Sequence, residues 1–424
     1  MHRIIIDKVG PINHCDIYID KFTILTGAQA SGKSTIAKAI YYFRTIKDDI
    51  LDSIIKKSLS FNKVSLHRIV TRQLRNKFLQ MFGSSRAMDN NLLMKYYYDD
   101  NTFIEISLRF DEGVDYISPN YVFIDFSKNI RDYLSQNNSN ILSNYSKDQI
   151  VASLNKLFLD DYETIFIPAG RSLITLLTTQ LNYIFTVMDD EQMRSIDFCT
   201  QKYIERILKI RSTFSDGING YFENKRKTSL TSLNFGLINK CITSVDKILK
   251  GKYINVSGEE RLVLDTGRFV KINYTSSGQQ ESVWIFNILL YQLITGLKTF
   301  IILEEPEAHL YPDAQKEISE LLAMFMAAKN DVLITTHSPY ILGSTNNLLL
   351  ADRLYRKLND ERVCNIVESK KHISLCDAYF VENGEITSCI DKETNLIQNE
   401  VIDGASQEIN DTLDKLLILA DGKI

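Results

Sequence analysis

The chain has 424 residues, a formal net charge of -4 and 44% apolar residues. The length fits two or three domains, or one large domain with an insertion, and the sparse Gly (18) and Pro (6) exclude a disordered or fibrous protein. The charge excludes a globally basic nucleic-acid binder, no apolar run reaches the roughly 18 residues of a membrane span, and six scattered cysteines without a C-x-x-C spacing fit neither a disulfide framework nor a zinc site.

The start, from Met1 to Asp7, lacks the apolar run of a signal peptide, so a cytoplasmic location is expected. The first 26 residues alternate like strands. Cys15, Ile17 and Ile19 share one face, and Phe22 to Thr26 is an apolar strand that ends at Gly27. A Gly-containing loop follows, then a helix from about Thr35. Residues 53–88 carry Lys56, Lys57, Lys63, Arg68, Arg72, Arg75, Lys77 and Arg86 and no acid. The ordinary reading of such scattered charge is a solvated helical face; the alternative is a surface for phosphate backbones or an acidic partner. Residues 102–110 and 121–126 alternate as strands, and the Ser- and Asn-rich stretch 135–147 reads as a linker.

A short strand at 164–167 closes at Pro168, and the pattern is mostly helical from Ser172 to about Lys250. Strand-like pieces return at 252–256, 261–265 and 268–274. A helix over 277–297 is apolar nearly all round and is expected to be buried. Strand 299–303, helix 314–329 and strand 331–335 form an α/β alternation. Asn383-Gly384 between strand-like 378–381 and 386–390 predicts a hairpin, and 407–420 predicts a closing amphipathic helix in an acidic tail.

Four motifs carry chemistry. Gly27-Ala28-Gln29-Ala30-Ser31-Gly32-Lys33-Ser34-Thr35 fits G-x-x-x-x-G-K-[ST] between an apolar strand and a helix. Backbone N–H groups and the helix dipole of such a loop favour a phosphate; Lys33 reaches the β- and γ-phosphates and Ser34 ligates Mg²⁺. Next, the apolar strand from Thr299 ends in Glu304 and Glu305. The first acid orients the Mg²⁺ shell and the second positions or activates the attacking water. Asp is usual at the first position; the longer Glu304 reaches a metal through water. Third, His337 follows the strand from Asp331, where an imidazole contacts a γ-phosphate and the attacking water, against the alternative of a packed or surface histidine. Fourth, Ser277 at the head of the buried helix reads as an N-cap with Gln280 closing a capping box, and its N–H groups and hydroxyl also suit a γ-phosphate across a dimer interface.

Together these motifs resemble the ABC-type ATPases, in the branch with SMC-like and RecF-like heads. Gly27–Thr35 resembles Walker A and Phe300–Glu305 Walker B. Ser276-Ser277-Gly278-Gln279-Gln280 resembles the signature motif without its usual second Gly. Glu307 to Pro312 resembles this branch's D-loop segment, and His337 matches the switch histidine. The nearest likeness is to bacterial stand-alone AAA family ATPases related to the ATPase part of OLD nucleases, a likeness that extends to Ile167–Ser172 and to the tail Asp391–Ile418. It spans most of the chain, with 45–100 and 130–250 matching loosely.

The resemblance implies an α/β P-loop NTPase fold of the ABC-ATPase head type with an antiparallel β-subdomain and a helical insertion. Its parts are an N-terminal ATPase lobe at 1–126, a mainly helical insertion at 127–250 and a C-terminal ATPase lobe at 251–424. It also implies a homodimer or higher homo-oligomer that sandwiches ATP and Mg²⁺, the loop at Gly27–Thr35 of one subunit facing Ser277, Gly278 and Gln279 of the other. Glu305, His337 and Lys33 are then the catalytic residues, and Ser34 and Glu304 the metal ligands. No Gln follows Phe166-Ile167 at once, and Arg171 either acts near the phosphates or braces the fold. Glu305 lies 272 residues after Lys33, too few for a long coiled coil besides the subdomains, and the 87 residues after His337 hold no D-x-D pair for a nuclease. The implied role is therefore an ATP-driven sensor or scaffold of an anti-phage system with a separately encoded effector, a nuclease or toxin. The alternative is a RecF-like ATPase of DNA repair or loading. DNA or RNA is left open as a partner, and a membrane is not expected.

Overall fold

The computed structural model describes residues 1–59, 64–108, 121–137, 146–178, 180, 183, 187–189, 192, 195–228, 233–358, 361–398 and 412. β1 (His2–Val9) and β2 (Ile12–Ile19) pair antiparallel, with Ile4 opposite Ile17 and Ile6 opposite Cys15, so the alternating apolar residues share one buried face. The other edge of β1 takes β4 (Leu93–Tyr97), then β5 (Phe103–Leu108) and β6 (Val122–Phe126), giving a five-stranded antiparallel sheet in the order β2-β1-β4-β5-β6. β4 escaped the sequence reading because its outward residues include Leu93 and Tyr97, which blur the alternation.

The central sheet has six strands in the order β14-β13-β3-β12-β11-β7. These are β3 (Phe22–Thr26), β7 (Glu163–Ile167), β11 (Thr299–Glu304), β12 (Asp331–Thr336), β13 (Asp377–Glu382) and β14 (Glu385–Ser388), all parallel but for β14, which forms the hairpin predicted at Asn383-Gly384. Both faces are covered, as the near-continuous apolar strands require. Phe300 and Ile302 face one core with α1 (Lys33–Arg44), α2 (Ile46–Leu59), α3 (Leu66–Phe82) and the five-stranded sheet. Ile301 and Leu303 face the other, built on later helices.

Between residues 127 and 250 the described helices are α4 (Lys128–Gln136), α5 (Lys147–Phe158), α6 (Ser172–Leu176), α7 (Phe198–Ile210), α8 (Gly217–Thr228) and α9 (Phe235–Leu249). This stretch also supplies β7, the edge strand next to β11. β8 (Lys252–Val256), β9 (Glu259–Val263) and β10 (Phe269–Lys271) make a small antiparallel sheet; the expected strand to 274 ends early because 272–274 turn as a 3-10 helix. α10 (Ser277–Thr295) is buried on all sides and includes the single tryptophan, Trp284. α11 (Pro312–Ala327), α12 (Pro339–Leu358) and the short α13 (Glu361–Ile366) follow. Most of the expected linker and of the closing helix at 407–420 lies outside the described residues, as do Arg109 and Phe110. Among the described residues no helix is long and apolar enough to cross a membrane.

Candidate nucleotide site

β3, β12 and β11 are adjacent and parallel, and their register sets the site. Thr336 pairs with Thr26, and Glu304 pairs with Thr335. Gly27, His337 and Glu305 therefore leave the sheet at one edge, at the carboxyl ends of neighbouring strands. With strands about 4.8 Å apart, the phosphate-type loop and the Glu305 backbone stand roughly 10 Å apart with His337 between them. Crevices at this edge of parallel sheets are where such folds hold ligands.

The loop is shaped by its glycines and by Ala30. Gly32 (φ 111°) and Ala30 (φ 60°) are left-handed, and a Cβ on Gly32 would lie 2.3 Å from Ile12 Cδ1. Helix α1 begins at Lys33, two residues before the sequence expectation, so its first N–H groups belong to the motif itself. Ala28, Gln29, Ala30 and Ser34 are exposed, while Gly27, Ser31 and Thr35 are half-buried. Lys33 Nζ donates to Gly27 O (3.0 Å) and Ala28 O (2.7 Å), with Ser31 Oγ at 3.5 Å. Its ammonium is thus caged by the loop, and burial pulls its pKa below the usual lysine value while Glu305 and Glu307 push the other way.

Glu305 turns the chain out of β11 with φ 43°, an unfavourable value for a residue with a side chain, while its N–H still donates to Thr335 O (2.9 Å). Its Oε1 lies 3.5 Å from His337 Nε2, and both side chains remain about a third or more exposed (41% and 35%). His337 is fixed from behind. Glu307 Oε1 accepts from the His337 N–H (2.9 Å) and from Thr336 Oγ1 (2.7 Å), and Ser338 caps α12, accepting from the N–H of Tyr340 and Ile341, with Pro339 at the first helical position. In sequence Glu307 only opens the D-loop-like segment, with no role beside His337. Its signal in the sequence was the second acid in Glu305-Pro306-Glu307.

Glu304 lies deeper than Glu305. It is buried, its Oε2 accepts from the Ala169 N–H (3.1 Å), and its Oε1 has no hydrogen-bond partner. An orphaned buried carboxylate oxygen suits a hard cation or a water. Arg171 sits below the site, completely buried. It braces the fold: its guanidinium donates to the backbone oxygens of Pro168, Glu304, Glu305 and Glu281.

The expected capping box is displaced by one residue. Ser276, not Ser277, caps α10, and Gln279, not Gln280, closes the box. Gln279 also donates to Leu249 O (2.7 Å), so its side chain is committed within the chain rather than offered to a nucleotide. Ser277 is exposed at the first helical position. Gly278 packs so closely that a Cβ would lie 2.5 Å from His309 O. Gly27–Thr35, Glu305 and His337 are brought to one edge; no bond joins Ser277, Gly278 or Gln279 to them within this chain.

The model of the AAA ATPase domain family matches residues 1–342. The chain belongs to the AAA ATPase domain family. Among solved structures, this AAA ATPase is similar to a Smc head domain with an extended coiled coil bound to the C-terminal domain of ScpA from Pyrococcus furiosus. That match has 12% identity and a TM-score of 0.40, covering 97% of this chain and all of that one. It is also similar to the SMC head domain from Thermotoga maritima (13% identity, 91% and 97% covered, TM-score 0.36). A third match is an ATP-binding cassette of an ABC transporter in its ADP conformation (13% identity, 95% and 94% covered, TM-score 0.34). No curated protein sequence matches.

The basic stretch of this AAA ATPase divides by role. Lys77 is buried against Asp49 (2.6 Å), and Arg75 Nε donates to Val122 O (2.7 Å). Lys56, Arg68 and Arg72 line, with Lys77 and the acids Asp48, Asp49, Asp52 and Glu163, a cleft of about 1030 Å³ between α2, α3 and α7, at the opposite end of α1 from its loop. Lys63 and the Arg86 side chain lie outside the described residues.

Proposed function

We propose that two copies of this chain sandwich two ATP molecules and that hydrolysis reopens the pair. The observation that carries the reading is the Glu305–His337 pair, 3.5 Å apart beside the loop that cages Lys33. In this reading Lys33 exchanges the carbonyls of Gly27 and Ala28 for phosphate oxygens, and the N–H groups of Gly27–Thr35 bind the phosphate chain. Glu305 positions and deprotonates the attacking water, and His337 holds the γ-phosphate. Ser34 and Glu304 would hold Mg²⁺, which neutralises phosphate charge when bound; the free Glu304 oxygen suits that ion. Ser277 and Gly278 meet the other subunit's nucleotide with the helix N-terminus.

The wider role we assign is that of a cytoplasmic, nucleotide-gated sensor or scaffold in bacterial anti-phage defence, controlling a separately encoded effector. Its support is the likeness of the motifs to stand-alone ATPases of that kind. A RecF-like role in DNA repair or loading is the second reading; it draws on Lys56, Arg68 and Arg72 around one cleft, which Asp48, Asp49, Asp52 and Glu163 partly offset.

The test of the sandwich is light scattering on the Glu305→Gln protein with ATP and Mg²⁺. A doubled mass that reverts when Lys33→Ala is added supports it; a mass and shape unchanged by ATP refute it. The defence role is tested by phage challenge of cells carrying this gene with its neighbours, where protection independent of Lys33 overturns it. DNA-stimulated turnover at low salt would favour the second reading.

A further inference from the structure

We infer that Arg171 is a positioning residue that ties the carboxylate end of β11 to the first turns of α10, so that engagement of Ser277-Gly278 by a second subunit is felt at Glu305 of the same chain. The inference rests on the dimer reading above. Arg171 uses four of its five guanidinium N–H groups on backbone oxygens: Nε to Glu281 O (2.9 Å), Nη1 to Pro168 O (2.6 Å) and Glu304 O (2.7 Å), and Nη2 to Glu305 O (2.9 Å). The Glu281 carboxylate answers, accepting from the N–H of Arg171 and of Ser172 (both 2.9 Å), and Arg171 Nε lies 3.3 Å from Glu281 Oε2. The charge is therefore compensated where water is excluded.

The same segment grips both ends. The Ala169 N–H donates to Glu304 Oε2, and Thr175 Oγ1 donates to Gln280 O (2.8 Å). A second, independent contact joins the same two places: Gly278 presses on His309 O, four residues after Glu305. Glu305 carries a left-handed φ, so its placement depends on what holds its carbonyl; that oxygen accepts from Arg171 and, within the turn, from the Ala308 N–H (3.1 Å), and Arg171 is the holder that reaches α10. A shift of α10 that drags Glu281 must move the guanidinium or break its fork. A packed unit of this kind has few intermediate positions.

The test compares wild type with Arg171→Lys and Glu281→Gln. Lysine keeps the charge but has a point-like ammonium that cannot span four carbonyls. For each protein we would measure ATP affinity by fluorescent-nucleotide titration, steady-state turnover with its Hill coefficient, and the melting temperature. Wild type is expected to turn over ATP with a Hill coefficient clearly above 1. Arg171→Lys is expected to keep ATP affinity within about twofold, lose at least tenfold in kcat and fall to a Hill coefficient near 1. Unchanged kcat and Hill coefficient beside a lowered melting temperature would make Arg171 a brace only, and a wild-type Hill coefficient of 1 would also overturn the coupling. If Arg171→Lys fails to fold, Glu281→Gln carries the same readouts. A wild type that neither turns over ATP nor dimerises with it defeats the underlying dimer reading instead.

Discussion

Removing the charge of Asp160 should weaken the lobe that carries the P-loop. Asp160 is buried, with Arg44 at 3.0 Å and Lys47 at 3.4 Å. Arg44 closes α1, lies 3.9 Å over the Phe300 ring of β11, and donates to His2 Nδ1 (3.1 Å). Asp160→Asn keeps the shape and an acceptor for the Tyr162 N–H, but leaves two cations facing each other out of water. Breaking a buried pair by removing one partner costs about 3–5 kcal/mol. Taking a urea slope of about 3 kcal/mol/M for a chain of this size, the midpoint should fall by about 1–1.7 M. The assay is equilibrium urea unfolding followed by far-ultraviolet circular dichroism and by Trp284 fluorescence. Trp284 lies in the other core, so a drop seen only by dichroism means that the two cores unfold separately. A midpoint within about 0.3 M of wild type by both probes would falsify the account of Arg44 as a cation that depends on Asp160.

Other outcomes follow from single residues. Lys33→Ala removes a cation held only by loop oxygens, so the fold should persist while ATP affinity falls by about 10–100-fold, the worth of one charge-assisted hydrogen bond; isothermal titration reads it. Gly278→Ala should lower the melting temperature, although Ala is the better helix former, because its Cβ meets the His309 carbonyl; a higher melting temperature refutes the packing argument. His2 is pushed down to about 3, by burial first and by Arg44 second. Its unfolded form takes a proton below pH 6.5 and its folded form does not until about 3. Its contribution is complete above pH 6.5 and is lost at up to about 1.4 kcal/mol per pH unit as pH falls. Asp48 and Asp331, raised from 3.8 to about 6 by burial, act with the opposite sign, their cost building as pH rises from about 3.8 and complete above about 6. The decisive quantity is therefore the difference in pH slope between wild type and His2→Gln over pH 4.5–6.5, which should be clear; equal slopes refute the assignment.

Much of this was legible in the sequence because it is local. The P-loop, the acidic end of β11, the all-round apolar α10 and the Asn383-Gly384 hairpin are each set by residues within about one turn or strand. A glycine's freedom, an N-cap or a period of two needs no distant partner. Even there, the choice between Ser276 and Ser277 as cap was missed, since both hydroxyls are followed three residues later by a Gln and only the backbone conformation separates them.

Chain order placed the nucleotide-type loop, the two acids and His337 at strand ends, but could not say that β12 lies between β3 and β11. That order alone sets His337 beside Glu305. The tertiary structure also decided Arg171. In sequence it is a lone cation after Gly170, equally suited to a phosphate or to a brace; folded, its N–H groups reach oxygens from residues 168, 281, 304 and 305. The reason is physical. A buried charge takes whatever partners the packing brings, and three of these four partners lie more than a hundred positions from Arg171, which no local pattern records.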